Sequence, residues 1–363
     1  MSRRRRRARV VPGRRGAVEG ARGSAAKRPR GGAPGAARGV RGAGGGGVRG
    51  GGRVVSFEAG RRLKEGARGA AGARGASGAR VGAGRGDNIR RGGRGLPPGA
   101  AIDFHLSSCV AAARAAGRVL VDTWGKRAHL QVKEKGRNDY VSSADRMAEE
   151  AALRLIKGRF PDHSIVAEES ARKEGTVGYR WYVDPLDGTT NYLHGVPLWC
   201  VSVGLSDPQG MYAAAVFDPV RDEMFTAARD KGAHLNGAPI RVARPGKLQK
   251  SLLVTGIPFR SLQRADQYLA SFRSFMHEGG GIRRDGSAAL DLAWVACGRY
   301  DGFWEMELSA WDVAAGSLLV TEAGGVVTDF GGRGGYVESG DIIAAAPEIH
   351  PDMLRIVRAA YGR

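Results

Sequence analysis

A break in composition near residue 98 limits this chain's folding more than any other feature. Residues 1–100 carry 26 Lys or Arg against 4 Asp or Glu, with 29 of the 58 glycines and one aromatic residue, Phe57. Fixing a backbone costs about 1–2 kcal/mol per residue, and this stretch has almost nothing to bury in return. Disorder is therefore expected over 1–98, with Pro97-Pro98 marking the border. Residues 101–363 carry 31 basic against 32 acidic side chains, so the formal charge of +21 resides in the extension. A strongly basic chain suggests a nucleic-acid partner, but the folded part, 99–363, is electrically balanced.

The three cysteines, Cys109, Cys200 and Cys297, lie in apolar or small-residue runs without the close spacing of a zinc knuckle or redox pair. They read as free thiols in a reducing compartment. No run of eighteen apolar residues is present and the N-terminus lacks a sustained apolar segment, which predicts no membrane span, no secretory leader and a cytoplasmic location. The seven histidines show no metal-ligand spacing, and Trp181, Trp199 and Trp311 read as core.

Helical spacing predicts a long first helix over 101–124 and a second from Ala144 to Lys157, capped by Ser142 or Ser143. Short strands follow at 164–170, at "GYRWYVDP" and at "CVSVGLSD". The run 210–243 reads as antiparallel strands joined by Asp-Pro, Asp-Lys-Gly and Asn-Gly turns. A strand at 251–256 opens the second half. Helices are expected at 265–276, 287–298, 311–325 and 349–361, with strands at "VVTDF" and "IIAAA". Meander-like strands beside alternating units predict a layered α+β or α/β architecture.

Acids stand where apolar segments stop: Glu168 and Glu169, Asp184 and Asp187, and Asp312. In "YVDPLDGTTNY" an apolar run ends in two aspartates three positions apart, and Gly188 lets the chain turn behind them. Two carboxylates and an intervening carbonyl at one strand end suit a hard cation with oxygen ligands. The same Asp-Pro and Asp-Gly pairs are also ordinary turn chemistry, and local sequence leaves both readings open. Asp312, in the first turn of a helix, can likewise serve as a cap, a ligand or both.

"VAEES", "WYVDPLDGTTNY", "WDVAAG" and "TEAGG", in this order, resemble the inositol monophosphatase family, its bacterial members above all. The resemblance spans about 101–363. It implies a layered αβαβα sandwich of the sugar-phosphatase type, built as a metal-binding half (about 99–245) and a substrate-contributing half (about 246–363), in a homodimer. It implies Mg2+ held by Glu168, Asp184, Asp187, Asp312 and the Leu186 carbonyl. Glu168 and Thr189 would orient and activate the attacking water, with Asp145 polarising Thr189. Lys135, Asp139 and Glu169 would support the metal site from behind. Gly188 and Thr189 would offer amides to phosphate, while Gly286, Ser287, Ala288 and Glu305 would meet the polyol. Ser142 or Ser143 stands where many relatives have threonine, and the hydroxyl is kept.

The implied activity is magnesium-dependent hydrolysis of a phosphate monoester by metal-activated water, most directly inositol 1-phosphate. Sugar phosphate and histidinol phosphate are alternatives. No Cys-x₅-Arg loop is present, and Asp184-Pro185-Leu186-Asp187 lacks the spacing of aspartyl phosphatases, so no covalent phosphoenzyme is expected. A different class of function is also implied, since bacterial relatives serve as accessory factors in ribosomal RNA transcription. The basic extension could add salt-sensitive contact to RNA, although it has almost no aromatics to stack bases. A start read too early in a GC-rich coding context would produce the same composition.

Overall fold

The computed structural model describes residues 97–136, 139–259 and 262–362. The expected disorder over 1–98 falls almost wholly on residues outside these. In chain order the elements are α1 (Pro98–Trp124), β1 (Val132–Gly136), β2 (Asp139–Ser142), α2 (Ser143–Arg159), β3 (Ser164–Ala167), β4 (Arg180–Asp187), α3 (Thr189–His194), β5 (Cys200–Asp207), β6 (Gly210–Asp218), β7 (Glu223–Ala228), β8 (Ala233–Leu235) and β9 (Ala238–Ile240). The second half adds β10 (Leu252–Thr255), α4 (Ala265–Glu278), β11 (Gly281–Arg283), α5 (Ala288–Ala296), β12 (Gly302–Glu305), α6 (Ala310–Glu322), β13 (Val326–Thr328), α7 (Tyr336–Ser339), β14 (Ile342–Ala345) and α8 (His350–Tyr361).

Seven strands form one sheet in the order β3-β4-β5-β6-β7-β8-β9, and five form a second in the order β11-β10-β12-β14-β13. From β4 to β9 every pairing is antiparallel, as the turn residues predict for β6 to β9, while β3 runs parallel to β4. Strand side chains alternate between faces, and this period builds three separate cores. Val201, Val203 and Leu205 of β5, with Ala213, Ala215 and Phe217 of β6, pack toward α1 and α2. Their neighbours Cys200, Ala214 and Val216 pack the other way, onto α5 and α6. In the second sheet Phe303, Ile342 and Ala344 face that same middle layer, whereas Trp304, Ile343 and Ala345 face α4 and α8. The result is the five-layered αβαβα sandwich.

Local sequence explains how the layers close. Pro98 at the helix start needs no donor there. Buried Ala112, Ala113 and Ala116 of α1 and Ala144, Ala148 and Ala152 of α2 present only methyl groups, so the two backbones pack closely. α2 opens on a capping box in which Ser142 and Asp145 satisfy each other's backbone amides, worth about 1 kcal/mol. The middle helices are largely apolar on every side. Every residue of α5 is buried, as befits a helix pressed between two sheets.

Three features escaped or depart from the sequence reading. The stretch after Gly188 forms the six-residue helix α3, bounded by left-handed glycines at 188 and 195. Residues 132–142 form a two-stranded hairpin that the sequence reading did not anticipate. Trp181 and Trp199 are fully buried, but Trp311 is only half-buried at the start of α6. Cys109 and Cys200 are buried free thiols, and Cys297 is half-buried. No described helix is long and apolar enough to cross a membrane.

Candidate active site

The paired aspartates of β4 owe their common direction to a break in the sheet. Residues three apart on a regular strand point to opposite faces. Here Asp184 lies opposite Ser202 and Asp187 opposite Cys200, so three steps along β4 match two along β5, with the register shift between them. Pro185 cannot donate to the ladder at that point. The extra residue is a bulge, a common device for re-aiming side chains beside a site. It turns both carboxylates toward the middle layer, where α6 begins.

Asp312 meets them there. It is the third residue of α6, and one carboxylate oxygen accepts the Ser309 amide at 2.8 Å in a capping box. Asp184, Asp187 and Asp312 each offer an oxygen, and these atoms lie within 4.8 Å of one another. Glu168 follows β3, its amide bonded to the Val183 carbonyl at 3.2 Å. Glu168, Asp184, Asp187 and Asp312 thus stand together as one group of carboxylates, Asp184 and Asp312 buried and the other two half-buried.

Burial, then the charges of Glu168, Asp187 and Asp312, hold the Asp184 carboxyl well above the usual carboxylate range. Burial also raises Glu168, to about 8, with Lys135 pulling against it and Asp312 and Glu169 adding to it. Asp187 is raised by burial but relieved by hydrogen bonds from Ser287 and from amides at the start of α5. Such crowding of like charge is what a bound divalent cation offsets.

The other expected residues fall around this group. Leu186 is buried, and its carbonyl lies 3.1 Å from Thr189 Oγ1. The same hydroxyl lies 2.9 Å from Asp145 Oδ1. Asp145 is fully buried behind it, its second oxygen accepting from the Ser142 amide at 2.9 Å and the Ser142 hydroxyl at 2.5 Å. Burial raises the Asp145 carboxyl against these three donors. Lys135 Nζ donates to Glu168 Oε1 at 3.1 Å and also to Glu169. The side chain of Asp139 lies outside the described residues.

A cavity of about 440 Å³ opens over the acids, lined among others by Glu168, Gly188, Thr189, Gly286, Ser287, Ala288 and Glu305. Asp145 and Glu169 stand behind this lining. Gly188, at φ 94°, adopts a conformation that L side chains rarely take, and a Cβ there would lie 2.9 Å from the Leu198 carbonyl. His194 also lines the cavity.

Four participants escaped the sequence reading. Asn191 donates to the Leu198 carbonyl at 2.7 Å and to the Asp285 carbonyl at 2.8 Å, tying the two halves of the chain together. Cys200 Sγ lies 3.8 Å from Asp187 Oδ2. Gly256 leaves the room in which the Glu305 carboxylate sits, for a Cβ there would fall 1.8 Å from Oε1. Arg284 lines the wall and stacks over Phe259 at 4.9 Å from the ring centre. Only the small size of Gly256 left any trace in the sequence.

The folded part is similar to known proteins in sequence and in fold. The chain is 44% identical over 258 residues to the Nus factor SuhB of Pseudomonas aeruginosa, covering 70% of this chain and 95% of that protein. With the Nus factor SuhB of Escherichia coli K12 it shares 42% over 254 residues, again 70% and 95%. Among solved structures, the extragenic suppressor protein suhB from Bartonella henselae superposes with a TM-score of 0.68 at 43% identity, covering 70% of this chain and 98% of that one. The inositol monophosphatase from Anabaena does so at 0.63 and 40%, covering 71% and 96%. The inositol monophosphatase family profile matches residues 104–361, and on that match and these identities the chain belongs to the inositol monophosphatase family.

Proposed function

We propose that this chain hydrolyses a small phosphate monoester, inositol 1-phosphate first among them, to the alcohol and inorganic phosphate, with magnesium as cofactor and as a homodimer. One observation carries the reading: Asp184, Asp187 and Asp312 bring oxygens within 4.8 Å of one another at a small cavity. An all-oxygen donor set of buried carboxylates fits a hard divalent cation better than a soft one. Glu168 and the Leu186 carbonyl complete the proposed ligand set. Magnesium bound there would offset the charge of the phosphoryl dianion and lower the pKa of water.

The chain's own groups then do the rest. Glu168 and Thr189 orient the attacking water. Thr189 Oγ1 takes its proton while yielding its own toward Asp145 Oδ1, 2.9 Å away. The water oxygen bonds to phosphorus, the ester P–O bond opposite breaks, and the departing alkoxide takes up a proton from solvent water to leave as the alcohol, the proton held at Asp145 being released to solvent afterwards. Amides of Gly188 and Thr189 face the phosphate oxygens. Gly286, Ser287 and Ala288 line the polyol side, and Glu305 accepts its hydroxyls. Lys135 and Glu169 hold the acidic group from behind.

Phosphate release over inositol phosphates, sugar phosphates, histidinol phosphate and nucleotides tests this. Inositol 1-phosphate should lead, and chelation should abolish turnover. Hydrolysis that persists after thorough chelation sinks the reading, and preference for a sugar or histidinol phosphate replaces its substrate.

A second reading, a transcription accessory role, is supported by the Nus factor names of the relatives at 44% and 42% identity. Co-purification with transcription elongation complexes, equal for the parent and Asp187→Asn, would establish it as independent of hydrolysis. Absence of any such association removes it.

A further inference from the structure

The loop from Met306 to Ser309 joins Glu305, the last residue of β12, to the capping box that sets Asp312 at the start of α6. Glu305, Met306, Glu307 and Leu308 all line the cavity. Within this loop Glu307 adopts a φ of 59°. The other described non-glycine residues with positive φ are Asp222, Asp230 and Asn236, types whose short polar side chains tolerate that region. A glutamate gains no such local bond from it. The conformation is therefore imposed from outside the loop, as strained residues beside binding sites commonly are.

Arg264, just before α4, supplies the constraint. Its guanidinium meets Asp341 through two parallel bonds, Nη1 to Oδ1 at 2.9 Å and Nη2 to Oδ2 at 3.0 Å. Nη1 also donates to Glu307 Oε1 at 3.1 Å. Asp341 Oδ1 accepts the Glu307 amide at 3.3 Å, and the Leu308 amide donates to the Gly340 carbonyl at 3.1 Å. The guanidinium lies over Tyr361, 5.0 Å from the ring centre, and the Tyr361 hydroxyl reaches Met306 Sδ at 3.2 Å. The Asp341 side chain is 3% exposed and that of Arg264 23%, so solvent competes little for the fork. Arg264 thus holds the loop by the Glu307 side chain and, through Asp341, by its backbone. Both grips lie just beyond the point where Glu305 pairs with Ile342 across β12 and β14.

We propose that Arg264 is a positioning residue for substrate recognition. Through Glu307 and Asp341 it fixes the direction in which the chain leaves β12, and so where the Glu305 carboxylate waits for the hydroxyls of a polyol. Gly256 leaves the room for that carboxylate on one side. The clamp settles the backbone on the other. A carboxylate held in place before the substrate arrives loses less freedom on binding, and affinity for the alcohol part rises accordingly. The phosphate end, held by the β4 and α3 residues, does not depend on it.

This inference rests on the reading of the chain as a phosphatase in which Glu305 meets the polyol, and the test separates the two. Steady-state kinetics of the full chain in saturating magnesium compare inositol 1-phosphate with phenyl phosphate, which has no hydroxyls. Arg264→Met keeps an apolar stem against Tyr361 and removes the fork. Its KM for inositol 1-phosphate should rise about tenfold. Its kcat on both substrates and its KM for phenyl phosphate should stay within about threefold. Glu307→Gln leaves the pair of Arg264 with Asp341 intact, so it folds even where Arg264→Met does not, and its KM for inositol 1-phosphate should rise about threefold. Adding Glu307→Gln to Arg264→Met should raise KM no further, because the two act as one clamp. Glu307→Gly releases the left-handed backbone, so it should unfold at a temperature no lower than Glu307→Gln while showing at least the same rise in KM. A parent that does not hydrolyse inositol 1-phosphate overturns the reading and this inference together. A parent that does, with Glu307→Gln and Glu307→Gly unchanged in KM or impaired equally on both substrates, overturns the clamp alone.

Discussion

The carboxylate of Asp187 accepts the backbone amide of Ala289 at 2.7 Å, so an acid at the end of β4 caps a helix that begins a hundred residues later. Ser287 Oγ donates to the same Oδ2 at 2.7 Å. α5 has no cap from its own side chains, and Asp187 supplies it. One carboxylate thus joins the acidic group to the segment proposed to meet the polyol. Asn keeps an acceptor for the amide but loses the charge. Asp187→Asn should therefore fold normally while losing about 10²-fold or more in kcat, in line with other single charge-stabilising groups. Asp187→Ala should lose the cap as well, about 1 kcal/mol further in denaturant unfolding. Equal stability of the two variants would remove the capping role.

The crowded acids make the cation-free protein sensitive to pH in a direction that can be worked out. Glu168 rises from the usual glutamate range to about 8 on folding, and Asp184, Asp187 and Asp145 are raised as well, burial being the first cause in each. The folded state then holds protons that the unfolded chain has already released. This stability is full below about pH 4.5 and is lost as pH rises toward 8, by at most about 1.4 kcal/mol per pH unit per group. Magnesium binds the deprotonated carboxylates, so its stabilising effect should grow over the same window. Thermal unfolding in chelator and in magnesium between pH 5 and 8.5 measures both slopes. A chelated protein that becomes steadily more stable toward pH 8 would contradict the crowding.

Gly256 and Glu305 give a prediction about substrate. A methyl group at 256 would lie 1.8 Å from Glu305 Oε1, so the carboxylate must swing aside in Gly256→Ala. KM for a polyol phosphate should rise about tenfold, the loss of roughly one hydrogen bond to a charged group. An aryl phosphate without hydroxyls should keep its KM. A parallel rise for both substrates would show that Glu305 does not read the polyol.

How far the sequence reveals this molecule depends on the range of each interaction. The alternation of Val201, Val203 and Leu205 against buried small neighbours, and the alanine stripe of α1, are local periodicities, and the layers follow from them. Asp184, Asp187 and Asp312 could be picked out because acids rarely end apolar runs. Their convergence is implied only by the family resemblance, because the residues alone do not show that the β4 bulge and the start of α6 coincide in space. β1 is exposed at every residue and so carries no apolar signal. α3, with six residues, is too short to show a period. The links from Asp187 to Ala289 and from Asn191 to Asp285 span 102 and 94 residues and involve backbone partners that have no residue code.

The final prediction concerns the proton path. Thr189 Oγ1 has a single proton and two acceptors in reach, Asp145 Oδ1 at 2.9 Å and the Leu186 carbonyl at 3.1 Å. Facing a water, the hydroxyl can accept from it only while donating backward, and buried Asp145 is the stronger acceptor. Thr189→Val preserves shape but ends this relay and leaves Asp145 one donor short, costing about 1–3 kcal/mol of stability. Its kcat should fall about 10²–10³-fold, with KM changed little, because the lost interaction acts as the proton moves. Thr189→Ser restores the hydroxyl and should recover most of the rate. Magnesium affinity, read by calorimetry, should be similar in all three proteins, since the Asp184, Asp187 and Asp312 oxygens are untouched. A valine variant that turns over at the parent's rate would exclude Thr189 from the path, and one that fails to bind magnesium would make its role structural.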